Sequence, residues 1–336
     1  SGWSDPALAI DHITEPVRQI PVFAECDVLV VGGGPAGLTA AVSAKAQGAS
    51  VLLVERYGFL GGMGTAAGVT NFAGLFGRRK GEMQRLVAGA CDGLIERIGA
   101  LHGLNEPQDG LSGRIRVMSY DVAAYKCAAD RYLSDAGVQV LFHALACSVQ
   151  VRDDRIQSVV LETRSGRVAV RASQVIDASG DADVSALAQA AYTLGDGQGN
   201  MLYPSTMFRV GQVDAPRALA AVGQFGAIDR LMDAAADRYR FARRGAILRP
   251  QRNPSQWRAN VTQLRNAAGR AVDATDAWQL SEAEMQGRRQ IVDYMAFLRQ
   301  EVPGFEQAEM AEIAAQVGVR ETRRVHCLHM LDGDEV

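Results

Sequence analysis

The stretch Val28-Leu29-Val30-Val31-Gly32-Gly33-Gly34-Pro35-Ala36-Gly37 opens a unit that closes with Val51-Leu52-Leu53-Val54-Glu55. The first apolar run reads as a buried strand, Leu38 to Gln47 as a helix, Gly48 as its stop, and the second run as a parallel strand. Gly32 lets the chain turn sharply off the strand. Gly34 carries no side chain, so a pyrophosphate can approach the backbone, and Gly37 lets the helix pack close to the sheet. Pro35 and Ala36 start the helix, whose free N–H groups and positive dipole end face the phosphates. Glu55 follows Gly32 at about the 20-residue spacing of a ribose-binding acid. Its carboxylate accepts from ribose hydroxyls and repels a 2′-phosphate, which disfavours NADP. The unit predicts an adenine-dinucleotide site.

Two later segments favour FAD over NAD. Arg56-Tyr57-Gly58-Phe59-Leu60-Gly61-Gly62-Met63-Gly64-Thr65 follows the acid directly. Its glycines give a backbone that runs flush against a flat or phosphorylated ligand. Arg56, Gly61, Gly62, Met63 and Thr65 are the expected contacts. The second segment is Val175-Ile176-Asp177-Ala178-Ser179-Gly180-Asp181-Ala182-Asp183. It reads as a strand ending in a close-approach turn, with Ala178, Gly180 and Asp181 at the ligand and Asp181 capping a helix from about 182 to 190.

With Phe59-Leu-Gly-Gly62, Met207-Phe-Arg-Val210 and Gly318-Val-Arg-Glu-Thr-Arg-Arg324, these segments resemble the FAD-dependent oxidoreductases of the glutathione-reductase structural class. More narrowly, they resemble a bacterial group known simply as FAD-dependent oxidoreductases. The resemblance covers most of the chain. It implies FAD and a redox reaction but no particular substrate. It also implies an α/β fold: a Rossmann-like FAD-binding domain with an antiparallel β-meander insertion and a second, mixed α+β substrate or cap domain.

The 336 residues suit about two domains. Residues 1–21, with three prolines, read as an extended arm. The FAD-binding domain is expected over 22–191 plus 315–336, and the cap over 192–314. Helices are expected over 81–100, 121–135 and 214–238. A strand is expected over 138–142, and the meander over 145–171 ahead of a strand at 173–177. Met201 to Val210 reads as a strand, and 243–275 has no clear period. Ser281-Glu282-Ala283-Glu284 reads as a capping box opening a long helix that ends at Val302-Pro303-Gly304.

A net charge of −3 recommends neither nucleic acid nor an anionic membrane as partner. No apolar run reaches the ~20 residues that span a bilayer. Five scattered cysteines without a CxxC pair read as reduced, mostly buried thiols of a cytoplasmic protein. Lysine occurs only at Lys45, Lys80 and Lys126, so arginine carries the positive charge. Arg78-Arg79-Lys80 and Arg243-Arg244 therefore read as ordinary surface charge.

The catalytic candidates lie in the second half. Arg320 follows a glycine and precedes Glu321, which could orient it, and a guanidinium grips a carboxylate or carbonyl bidentately. Met207 and Arg209 would share one face of a strand. His326 and His329 are candidate general bases, on opposite faces if 324–331 form a strand. Cys327 and His329 are too few for a metal site. No histidine stands in Gly61 to Thr65, so non-covalent FAD is the reading. The reaction expected is acceptance of a hydride from a small organic substrate. An NAD-dependent dehydrogenase, and a flavin-binding subunit completed by a second polypeptide, stay open as alternatives. Because no further strand-glycine-helix unit follows Asp181, the chain reads as a fragment that a second polypeptide completes, and an oligomer is compatible.

Overall fold

The structure is a computed structural model and describes residues 13–110, 113–223, 228–245 and 247–331. Most of the expected arm, residues 1–12, and the last five residues of the expected flavin domain, 332–336, lie outside the described residues. Residues 13–21 are largely exposed and have no regular structure. Pro21 accepts a hydrogen bond from the Ala169 N–H at 2.9 Å.

The opening unit folds as β1 (Val22–Val31), α1 (Pro35–Ala46) and β2 (Val51–Val54), with β1 and β2 parallel and Val28 opposite Val51. All four β2 residues are buried, as expected of a strand covered on both faces. After α2 (Met63–Ala66) the chain departs from expectation. It forms β3 (Asn71–Arg79), β4 (Glu82–Arg85), α3 (Ala90–Ala100), β5 (Gln108–Gly110) and β6 (Ile115–Ser119). These strands make an antiparallel sheet in the order β4-β3-β6-β5. The helix expected over 81–100 is thus a strand followed by a shorter helix. Lys80 and Gly81 both have positive φ and fold β4 back onto β3, and Gly89 at φ +93° separates strand from helix. Leu86 and Val87 are exposed.

α4 (Val122–Asp135) forms as read, with Asp121 accepting from the Ala124 N–H at 2.8 Å, and β7 (Gln139–Leu141) pairs parallel to β2. The meander is β8 (Leu145–Arg152), β9 (Arg155–Thr163) and β10 (Gly166–Asp177). It does not precede a separate strand. β10 is continuous, pairing antiparallel to β9 over 166–171 and parallel to β1 over 169–177. The resulting sheet runs β7-β2-β1-β10-β9-β8. One face packs Val30, Leu53 and Leu60 against α1, α3 and α4, and the other packs Leu29, Leu52 and Val54 with Val159 and Val170.

The chain continues through α5 (Asp183–Leu187), β11 (Tyr192–Leu194), β12 (Phe208–Gly211), α6 (Ala215–Val222) and α7 (Asp229–Ala234). It ends through β13 (Ile247–Pro250), β14 (Trp257–Asn260), α8 (Ala277–Glu301), β15 (Glu309–Ile313) and β16 (Arg323–Val325). Only the last three residues of 201–210 are strand. The period-free 243–275 supplies two strands, because each pairs in register within an antiparallel sheet ordered β13-β14-β12-β15. Phe208, Val210, Leu248 and Trp257 pack from one face of this sheet against Ile291, Phe297 and Phe305. The α/β fold with a parallel sheet, a meander and additional antiparallel sheets is therefore the one expected. Among the described residues no helix is long and apolar enough to cross a membrane.

α8 begins five residues earlier than the capping-box reading, with Asp276 and not Ser281 as its N-cap. Asp276 Oδ1 accepts from the N–H groups of Trp278 and Gln279, both at 2.9 Å, whereas Ser281 Oγ donates back to the Ala277 carbonyl inside the helix. Asp276→Ala should cost about 0.5–2 kcal/mol in denaturant unfolding. Ser281→Ala should change stability by less than about 0.5 kcal/mol. The reverse order would restore Ser281 as the cap.

Candidate functional site

The first glycine turn is fixed by close backbone contact. A Cβ on Gly32, at φ +108°, would lie 2.2 Å from the Ala178 carbonyl oxygen, and one on Gly37 would lie 1.9 Å from that of Gly32. Gly34 differs, since a Cβ there meets only Gly62 Cα, at 3.6 Å. Its φ of −74° suits any residue, and it gives α1 no side-chain cap. A small group therefore fits beside Gly34 in van der Waals contact with Gly62, and the first-turn N–H groups of α1 border that position.

The second glycine segment lies on the first. Gly61 N–H donates to the Gly33 carbonyl at 2.8 Å, and a Cβ on Gly62 would lie 2.8 Å from Gly34 Cα. Thr65 Oγ donates to the Leu60 carbonyl at 2.7 Å, which holds the loop, and Met63 Sδ accepts from Gln316 Nε2 at 3.6 Å. Glu55 is buried and ties both segments together. Oε2 accepts from the Gly33 N–H at 2.7 Å and Oε1 from the Tyr57 N–H at 2.9 Å. One lone pair on each oxygen is left for a further donor.

The third segment differs in detail from its reading. α5 is short and starts after Ala182, so Asp181 does not cap it. Asp181 Oδ1 accepts instead from the Thr322 hydroxyl at 2.7 Å, and Ser179 Oγ accepts from the Asp183 N–H. Arg323 Nη1 donates to the Asp181 carbonyl and to Asp183 Oδ1, both at 2.8 Å. Gly180, at φ +91°, has nothing within 4 Å of the position a Cβ would take. Arg56 lies 4.0 Å from Asp183 and, with Asp181, Glu284 and Arg323, lines a cavity of about 150 Å³.

A larger cavity, about 370 Å³, lies between Thr70, His102, Tyr120 and Asp121 on one side and Arg209 of β12 with Gln251, Arg252 and Gln256 of the β13–β14 loop on the other. Tyr120 donates to the Gly64 carbonyl at 3.1 Å, so one wall rests on the glycine loop. Burial, then the neighbouring Tyr125, raises the Tyr120 hydroxyl well above the usual phenol range. Arg209 pairs with Glu312. Arg320 is exposed and donates to the Tyr203 carbonyl at 3.0 Å and to Ser205 Oγ at 2.9 Å. Glu321 does not orient it, but accepts from the Leu202 N–H and pairs with Arg324. His326 and His329 do not lie on a common strand, because β16 ends at Val325. His326 Nε2 is 2.7 Å from Thr193 Oγ on an exposed edge, His329 is exposed, and neither lines either cavity. All five cysteines are free, but Cys127 and Cys327 are exposed and the other three only half-buried, against the expected burial.

Sequence reading missed Arg258, Arg249 and Tyr120. The arginine-rich composition had discounted single arginines, and the strands carrying two of them show no period. Arg243, read as surface charge, is half-buried and donates to the Asn260 carbonyl at 2.5 Å. Arg244 fits that reading, being exposed and paired with Asp233.

Residues 27–336 match the family model described as FAD dependent oxidoreductase. The chain belongs to that family. FAD is accordingly the dinucleotide, and the NAD-dependent dehydrogenase reading falls away. The chain is 30% identical over 169 residues to a thiamine thiazole synthase of Methanococcus vannielii, covering 48% of this chain and 58% of that protein. A similar enzyme of Methanococcus aeolicus is 29% identical over 170 residues, with 57% of it covered. The chain thus spans little more than half the length of these curated relatives. In fold it is similar to a p-nitrophenol 4-monooxygenase of Pseudomonas putida, with a TM-score of 0.55 at 14% identity over 90% of this chain and 69% of that one. A geranylgeranyl bacteriochlorophyll reductase-like protein of Thermoplasma acidophilum gives 0.52 at 14% identity over 88% and 66%.

Gly34→Leu should abolish FAD binding in a protein that still folds, since its Cβ meets Gly62 only at van der Waals distance and the side chain beyond it takes the place of the pyrophosphate. Flavin retained by a folded variant would remove this turn from the site. Glu55→Ala should cost stability as well as flavin affinity. The Gly33 and Tyr57 N–H groups lose their acceptor, at about 1–3 kcal/mol for each one left unsatisfied. Unfolding curves and flavin titration read the two effects separately.

Proposed function

We propose that this FAD-dependent oxidoreductase takes a hydride from a small organic substrate onto non-covalently held FAD, seated as in the glutathione-reductase structural class. The observation that carries the reading is the room for a small group beside Gly34, in contact with Gly62 and bordered by the N-terminus of α1. That space accepts a pyrophosphate at the position the dinucleotide reading requires. Gly32, Pro35, Ala36 and Gly37 shape the turn, and the remaining lone pairs of Glu55 accept from the ribose. Met63, Thr65 and Ala178 keep the neighbouring backbone in place. FAD, when bound, supplies the two-electron acceptor, and the protein supplies orientation and a water-poor pocket. The cavity between Tyr120 and Arg209 is the substrate chamber in this reading, because Tyr120 joins it to the glycine loop through Gly64. Arg320, held by Tyr203 and Ser205, is the positioning residue in this reading.

Anaerobic mixing of the FAD-loaded protein with a panel of small alcohols, amines and hydroxy acids should bleach the flavin absorbance for one class. A panel that bleaches nothing, with flavin retained only when a second polypeptide is present, would favour the flavin-binding subunit instead. Arg320→Ala should keep FAD bound and slow bleaching about 10- to 150-fold, the equivalent of one charged hydrogen bond. An unchanged rate would leave Arg320 a structural clasp on Ser205.

A further inference from the structure

The turn that ends α3 carries a histidine in the place glycine usually takes. His102 N–H donates to the Gly99 carbonyl at 2.8 Å and Gly103 N–H to the Ile98 carbonyl at 2.9 Å, the paired bonds of a left-handed helix terminator. The residue in the left-handed conformation is His102, at φ +54°. That position favours glycine, because a Cβ crowds the neighbouring backbone. The glycine of the motif stands one residue later for another reason, since a Cβ on Gly103 would lie 2.4 Å from Ala124 Cβ on α4. The turn is also held from outside. The Asp121 N–H donates to the Gly103 carbonyl at 2.8 Å, and Arg252 Nη1, from the β13–β14 loop, donates to the Leu104 carbonyl at 2.9 Å. His102 is therefore fixed on the wall of the larger cavity by contacts from both sides of it.

The ionisable residues of that wall are His102, Tyr120, Asp121, Arg209 and Arg252. Four of them are committed elsewhere. Tyr120 donates to the Gly64 carbonyl, and burial raises its hydroxyl well above the usual phenol range. Asp121 Oδ1 accepts from the Ala124 N–H as the cap of α4, and a carboxylate is a much weaker base than an imidazole. Arg209 pairs with Glu312 and Arg252 holds Leu104, and a guanidinium keeps its protons in any case. The His102 ring has no hydrogen-bond or ion-pair partner among the described residues. A free imidazole at a position where glycine would be more stable is strain kept for a task.

We propose that His102 is the catalytic base of the oxidation, taking the O–H or N–H proton of an alcohol or amine held in this cavity. The hydride leaves the neighbouring carbon with its electron pair and passes to FAD. The electron pair of the O–H or N–H bond becomes the second bond of a carbonyl or imine product. The proton stays on the ring as imidazolium and passes to water, which reaches the exposed side chain. This inference rests on the reading of the same cavity as the substrate chamber.

Anaerobic bleaching of the FAD-loaded protein by ethanol, glycerol, benzyl alcohol, lactate, ethanolamine and benzylamine tests it. His102→Asn and His102→Gly should keep FAD affinity and slow bleaching by the active substrate about 100- to 10,000-fold at neutral pH. Wild-type bleaching should slow as pH falls, because only the neutral imidazole accepts a proton. Asp121, Tyr120, Arg209 and Arg252 stay in place in both variants, so loss of this acid limb there assigns it to His102. Added imidazole should restore part of the rate in His102→Gly. The flavin-free His102→Gly protein should melt at or above the wild-type temperature, since glycine suits the left-handed turn. Variants that bleach at the wild-type rate with the wild-type pH dependence would remove this inference and leave the redox reading standing. A slow His102→Gly protein that melts lower and that imidazole does not rescue makes the residue structural and also overturns the proposal. A wild type that no member of the panel bleaches would overturn the redox reading and this inference together.

Discussion

Three backbone segments meet where no methyl group fits: the turn after β1, the start of α1 and the end of β10. Gly37 touches the Gly32 carbonyl and Gly32 touches the Ala178 carbonyl, each closer than any side chain allows. The packing of α1 on the sheet, the exit of β10 and the position of Gly34 all depend on that contact. Glu55 then secures the glycine loop to the turn from the neighbouring strand. The cofactor site is thus made from backbone shape and one buried carboxylate, with few side chains reaching into it.

The second half of the chain works differently. There the backbone is an ordinary antiparallel sheet, and the chemistry lies in what the sheet's outer face carries. Apolar residues on one face pack against α8, while Arg209 on β12 lines the cavity that Tyr120 also lines. One half offers backbone N–H groups to phosphates, and the other offers positive charge to the cavity.

The opening unit was legible because its periodicity, glycines and acid are contiguous and each has a local mechanical cause. α4 was legible for the same reason, with Asp121 before it and Gly137 after it. The segment 81–100 was misread because Met83, Leu86 and Val87 fit a helical template, while the turn at Lys80-Gly81 imposed a hairpin. The start of α8 was misplaced because Asp276 and Ser281 both carry capping chemistry, and only tertiary packing chooses between them. The alignment of three arginines across β12, β14 and β13 was illegible because cross-strand register is a long-range property. Arg209, Arg249 and Arg258 become neighbours only when three separate segments align.

β10 belongs to two kinds of sheet at once. Its first residues hydrogen-bond to β9 as a hairpin, and its last residues run beside β1 into the turn at Ala178. The alternation of faces must therefore stay in phase along its full length. A residue inserted in the hairpin turn at Ser165-Gly166 leaves that phase intact. One inserted near Ala172 exchanges the faces of Val175 and Ile176 and rotates Ala178 away from Gly32. An insertion is accommodated at the hairpin tip and not within the strand, which acts as a ruler between the meander and the nucleotide turn.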